Sequence, residues 1–264
     1  MFLFLYHAIH AELRAWPRRK WHYGRRLAYV GLMALVVFWG YGHGLINQAG
    51  AKGILLLQDL GVLVLTLSLF TAPMSVASRL QLERREQTLG LLLLTGVGTG
   101  EYLCSRLVSA MAAMLVSLLS VLPLLLLAAS MGGVTIGQWL ASGTLLAGVM
   151  VSASALGLFL CTWLQRDRWL YLAILLALLF WQVGLPLLSF IGATQMPWVS
   201  HFKSSSVILV FLAILRDPEQ QWLPLLLPYL AWTVGWVLLF LSLGALRLRP
   251  WALREPQSPR QRRS

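Results

Sequence analysis

Chemistry in this chain would have to come from few groups: nine acidic side chains, five histidines and two cysteines among 264 residues. Their placement narrows the choice further. A serine nucleophile needs a base within hydrogen-bond reach, and the apolar runs that carry Ser75, Ser109 and Ser152 hold no histidine at their centres. Those hydroxyls read as contacts between helices. His7 and His10 stand three apart, a spacing that could share a metal on a helix, but the sequence offers no third ligand beside them. Cys104 and Cys161 form no CxxC pair, so zinc and redox motifs are absent. Asp59 lies about one turn inside an apolar run, and Asp167 sits between Arg166 and Arg168. No run carries an ionisable group near its middle. A proton-coupled carrier needs such a group at depth, and an intramembrane metalloprotease needs His and Asp ligands there; neither fits. The ordered mixture of charged, hydroxyl and leucine side chains is Arg79–Arg106, which reads RLQLERREQTLGLLLLTGVGTGEYLCSR.

The elements around that stretch follow from composition. The chain is 58% hydrophobic and 11% charged, whereas a soluble domain carries about 25% charge. There is too little polar surface to cover a soluble core. Runs of the roughly 20 apolar residues that a helix needs to cross a bilayer recur along the length. Six spans are expected, at 27–46, 54–78, 103–131, 139–164, 169–191 and 222–246, in an all-α integral membrane domain over residues 1–250. Each is apolar all round, unlike a surface helix, and only helices satisfy their own backbone in lipid. Pro123 and Pro186 interrupt spans three and five, where kinks are expected.

Orientation follows from the 21 Lys and Arg residues. Eighteen fall in the N-terminal segment, the connections after spans two and four, and the C-terminal tail; Lys52, Lys203 and Arg216 make up the other three. Both termini are therefore expected in the cytoplasm, with the chain in a plasma membrane of bacterial inner-membrane type. Both cysteines then lie near the reducing side, where a disulfide is not expected. The first 26 residues lack the order of a cleavable signal. Phe2, Leu5, Tyr6, Ile9, Leu13 and Trp16 share one helical face ahead of Pro17, which predicts a helix over 1–16 lying in the membrane interface. Val207–Leu215 is apolar but reaches only about half the hydrocarbon core at helical rise. It predicts a re-entrant segment before span six. The tail 251–264 is basic and polar, the composition of a disordered segment. The net charge of +12 sits between and beyond apolar runs rather than interleaved with aromatics, so no nucleic-acid groove is indicated.

Within Arg79–Arg106, Glu83, Arg84, Arg85 and Glu86 hold the chain at the cytoplasmic surface. Leu89, Leu92 and Leu93 then form an apolar face, and Gly96, Gly98 and Gly100 end the helix. Glu101 opens the next helix near its positive end. A short helix offered flat to the cytoplasm between two spans makes a docking surface for a soluble partner. The pattern resembles the membrane subunit of type-2 ABC transporters, which show E-[KR]-x-x-x-T-L-x-x-L-L-x-T-P and then E-x-x-x-x-[KR] after the second span. Glu83, Arg84, Thr88, Leu89, Leu92, Leu93 and Thr95 match the first part. Glu101 and Arg106 match the second, at the start of span three. Gly96 stands where the family often has proline.

The resemblance implies that Glu83–Leu94 is a coupling helix seated in a cleft of a separate cytoplasmic ATPase subunit. It implies a permease, an exporter, that homodimerises or pairs with a similar chain. This chain has no G-x-x-x-x-G-K-[ST] loop, so it is not expected to be an enzyme or to hold a cofactor. ATP and magnesium would belong to the partner. Two other readings stay open from the residues alone: a membrane scaffold that transmits force without transport, and a membrane-embedded lipid-modifying enzyme. The arginine-rich termini, which the latter would have to use, are better explained as anchors to anionic lipid.

Overall fold

The computed structural model describes residues 20–42, 52–85, 98–164, 167–184, 206–216 and 222–252. The expected interfacial helix over 1–16 lies outside them, as does the tail from residue 253. Every regular element among the described residues is helical: α1 (Lys20–Gly42), α2 (Lys52–Arg85), α3 (Thr99–Leu119), α4 (Leu122–Ser130), α5 (Ile136–Trp163), α6 (Asp167–Leu179), a π turn (Phe180–Gly184), α7 (Val207–Arg216) and α8 (Trp222–Ala252). Three of these, α2, α5 and α8, are long and apolar enough to cross a membrane. Burial sorts them: 67% of the most apolar stretch of α5 is buried, against 28% for α8. So α5 is the hub, and α8 is a peripheral helix with one face on it.

The expected third span is two helices. Pro123 has no N–H to give to the preceding turn, and the helix stops at Leu119 and restarts at Leu122. Val121 bridges the break, donating its N–H to the Leu118 carbonyl and accepting from Leu124 and Leu125. The π turn falls just ahead of Pro186, whose ring would clash with the carbonyl four residues earlier in an unbroken α-helix. Two helices run past their expected ends. α2 continues through Ser78 to Arg85, and α8 runs through Pro250 to Ala252.

α5 packs against α2 and α8 along much of its length, and against α3, α6 and α7. Small residues make this possible, as in helix pairs that meet in lipid. A Cβ on Gly157 would stand 2.7 Å from the backbone of Pro73 on α2, and one on Gly148 would stand 3.0 Å from the Tyr229 ring on α8. The short helix α7 is not loose on the surface. Val207, Val210, Phe211, Ile214 and Leu215 are all buried, against α5, α2 and α8. Gln138 holds one end of it. At the start of α5 this side chain accepts from the Thr135 N–H (3.0 Å) while the Thr135 hydroxyl accepts from the Gln138 N–H (3.2 Å), a capping box. Its amide then donates to the Ile214 carbonyl (3.1 Å), one of the last carbonyls of α7.

The contact at Gly157 gives a direct expectation. Gly157→Ala should lower stability by about 1–3 kcal/mol through overpacking. Gly143→Ala, where a Cβ meets nothing within 4 Å, should be neutral or slightly stabilising. Thermal unfolding of the detergent-solubilised chain compares the two. Equal melting temperatures would contradict the close helix pair.

Candidate functional site

The end of α2 and the start of α3 meet at the stretch the sequence singles out. Glu83 stands in the last turns of α2 and Arg106 two turns into α3; their side chains form an ion pair. The two groups are 16% and 22% exposed, so solvent screens the pair only in part. Tyr102 lies one turn before Arg106 and is buried. Its hydroxyl donates to the other oxygen of Glu83, and the Arg106 guanidinium lies 5.5 Å from its ring centroid. Glu83 thus uses both carboxylate oxygens on α3.

Arg84 turns the other way, to α5. Its guanidinium donates to the Cys161 carbonyl at 2.5 Å. Cys161 is in the last turn of α5, whose final carbonyls have no partner within the helix. The arginine therefore caps a helix C-terminus and brings positive charge to its negative end. The Cys161 thiol donates back to the Ala77 carbonyl on α2 at 3.7 Å. Beside this joint the Arg247 guanidinium of α8 lies 5.4 Å from the Trp163 ring centroid. Four helix ends, of α2, α3, α5 and α8, are thus held at one level by three arginines.

Of the residues picked out from the sequence, Glu83, Arg84 and Arg106 are brought into this brace. Glu101 is not: it sits exposed on the first turn of α3, where its charge faces the helix N-terminus. Arg85 ends α2. Glu86, Thr88, Leu89, Leu92 and Leu93 lie outside the described residues, so the docking face itself is not placed. Tyr102 was missed as a site residue, although its spacing to Arg106, four along a helix, is a readable signal for a ring–guanidinium pair. Asp59 is exposed on α2. Among the described residues no three His, Cys, Asp or Glu side chains gather as metal ligands. Chemically, the brace can carry force and charge between helices; it presents no nucleophile with a base.

An apolar cavity of about 410 Å³ lies toward the other end of the bundle. Leu57 and Leu65 of α2, Leu115 of α3, Leu125 of α4, Trp139 of α5 and Phe211 of α7 line it.

No protein-family profile matches this chain, and a search of curated proteins returns no match.

The brace predicts non-additive energetics. Glu83→Gln and Arg106→Met should each cost about 2 kcal/mol, between the values for exposed and fully buried pairs. The double variant should cost clearly less than the sum, because neither charge is then stranded. Tyr102→Phe should cost about 1 kcal/mol. A double-mutant cycle on detergent-solubilised protein measures this. Simple additivity would show that Glu83 and Arg106 do not interact.

Proposed function

We propose that this chain is the membrane-spanning subunit of an ABC exporter, driven by a separate cytoplasmic ATPase. The single observation that carries this reading is the Glu83–Arg84 brace. The two residues that open the coupling-helix motif tie α2 to α3 and to α5, so a push on the segment that follows them would be delivered to three helices together. A plain connecting loop has no need of such a joint. On this reading six spans cross a bacterial inner membrane with both termini in the cytoplasm. α3 and α4 together make the third span, and α6 with its π turn begins the fifth. α7 dips into the outer half of the bilayer. A second copy or a similar chain completes the pathway, and Leu89, Leu92 and Leu93 meet the ATPase.

The roles of the motif separate into docking and transmission, and so do the variants. Leu92→Asp with Leu93→Asp should abolish co-purification with the ATPase encoded beside this gene. Glu83→Gln should leave co-purification intact but reduce the ATP hydrolysis that the membrane subunit elicits in proteoliposomes, by about tenfold if one charge-assisted contact transmits the stroke. A wild-type chain that fails to retain that ATPase, and whose hydrolysis is indifferent to both variants, would remove the transporter reading and leave a scaffold.

A further inference from the structure

The apolar cavity at the end of the bundle away from the brace has a cause in the backbone. α3 packs on both α2 and α5, but beyond the break at Ser120 and Val121 α4 packs chiefly on α2. A wedge is left between α4 and α5, and Leu119 and Leu122, on either side of the break, line it. α2 closes the back with Leu57 and Leu65, both buried, and α7 adds Phe211. Phe211 reaches that place because Gly61 has no side chain; a Cβ there would strike the ring. Ser142 brings a hydroxyl to the lining, but it donates to the Gln138 carbonyl of its own helix at 2.7 Å. At about 410 Å³ the space far exceeds the small voids of protein interiors, and left empty it would cost stability in proportion to its volume. Water gains nothing from so apolar a lining.

We infer that this cavity takes one acyl chain of a bilayer phospholipid, which enters sideways while the headgroup stays outside. Three observations select that occupant. The first is size. A cavity of about 150 Å³ holds a six-carbon benzene ring; on that scale 410 Å³ holds about 16 carbons, a whole membrane acyl chain and more than any one side chain supplies. The second is depth. From Leu57 to Leu65 the lining runs about 12 Å along α2 at helical rise, most of the ~15 Å that one leaflet contributes to the hydrocarbon core. The third is access. Leu115 and Leu119 in the lining are exposed, and so is Gly143 on α5, where a Cβ would meet nothing within 4 Å. In a bilayer such a rim faces lipid tails. Trp139, one turn nearer the start of α5, suits the level of the headgroups. A chain held there fills the wedge and keeps α4 at its distance from α5. The inference rests on the chain lying in a bilayer, as its long apolar helices indicate, and not on coupling to an ATPase, which the test omits.

The full chain would be reconstituted with a phosphatidylcholine that carries a photoreactive diazirine midway along one acyl chain, irradiated, and its labelled residues mapped by mass spectrometry. Lipid around the bundle reaches exposed positions such as Leu238 on α8. A chain inside the cavity also labels Leu65 and Phe211, which are 3% and 2% exposed. Gly143→Phe and Leu146→Phe add bulk at two places in the lining. Each should cut the labelling of Leu65 and Phe211 about tenfold, as a steric block of one site does, and leave that of Leu238 unchanged. Gly143→Ala should keep all three labelled. Should one filled variant fail to reconstitute, the wild-type map and the other variant decide. Labels confined to exposed residues overturn the inference, as do buried labels that persist in both filled variants. Labelling of the buried pair by the free diazirine fatty acid but not by the phospholipid also overturns it. So does label carried by the monomer and missing from a cross-linked dimer, since a second copy would then fill the cavity.

Discussion

Arg84 can reach the end of α5 only because α2 and α5 run so close together. That closeness rests on Gly157 against Pro73. Any side chain at position 157 would push the helices apart, and the guanidinium at 2.5 Å from the Cys161 carbonyl would be among the first contacts stretched. The rest of the brace follows from this one approach. With α2 held against α5, Glu83 projects from the adjacent position toward α3 and takes both Tyr102 and Arg106. The polar groups sit at helix ends for a physical reason. Within the apolar body a charge would need full compensation, whereas at the ends it also answers the helix dipoles and the orphan carbonyls.

How much of this is legible in the residues depends on how far apart the partners lie. The break at Pro123 is local, and the missing N–H predicts it. The capping box at Thr135 and Gln138 is likewise a short pattern, T-x-x-Q ahead of an apolar run. The Tyr102–Arg106 pair is one helical turn long and could have been found by spacing alone. By contrast, the hydrogen bond from Arg84 joins residues 77 apart, and that from Gln138 to Ile214 joins residues 76 apart. No periodicity reports such contacts. The motif marks Glu83 and Arg84 as important but gives them a surface role. Their side chains turn inward instead, to α3 and α5. The apolar run Val207–Leu215 does form a short helix, yet its length says nothing of the five residues that α7 buries.

The outer helices are built on a different principle from the core. α1 buries Met33 while Leu27, Leu35 and Phe38 stay exposed, and α8 exposes Leu238, Leu243 and Leu246. In a bilayer these faces cost little, because lipid tails are as apolar as leucine. The consequence is mechanical. α2, α3, α5 and α7 are tied by close backbone approach, ion pairing and capped ends, and α8 lies along α5 with Arg247 beside the same brace. α6 meets α8 through aromatic rings, with no polar tie between them among the described contacts. Ring contacts slide at small cost where hydrogen bonds and jammed backbones do not. On the proposed reading, a displacement applied at Glu83 and Arg84 would meet least resistance where α6 and its π turn face α8. The same arrangement that braces the bundle end at Glu83 and Arg84 leaves the ring contacts between Trp181 and α8 as its loosest seam.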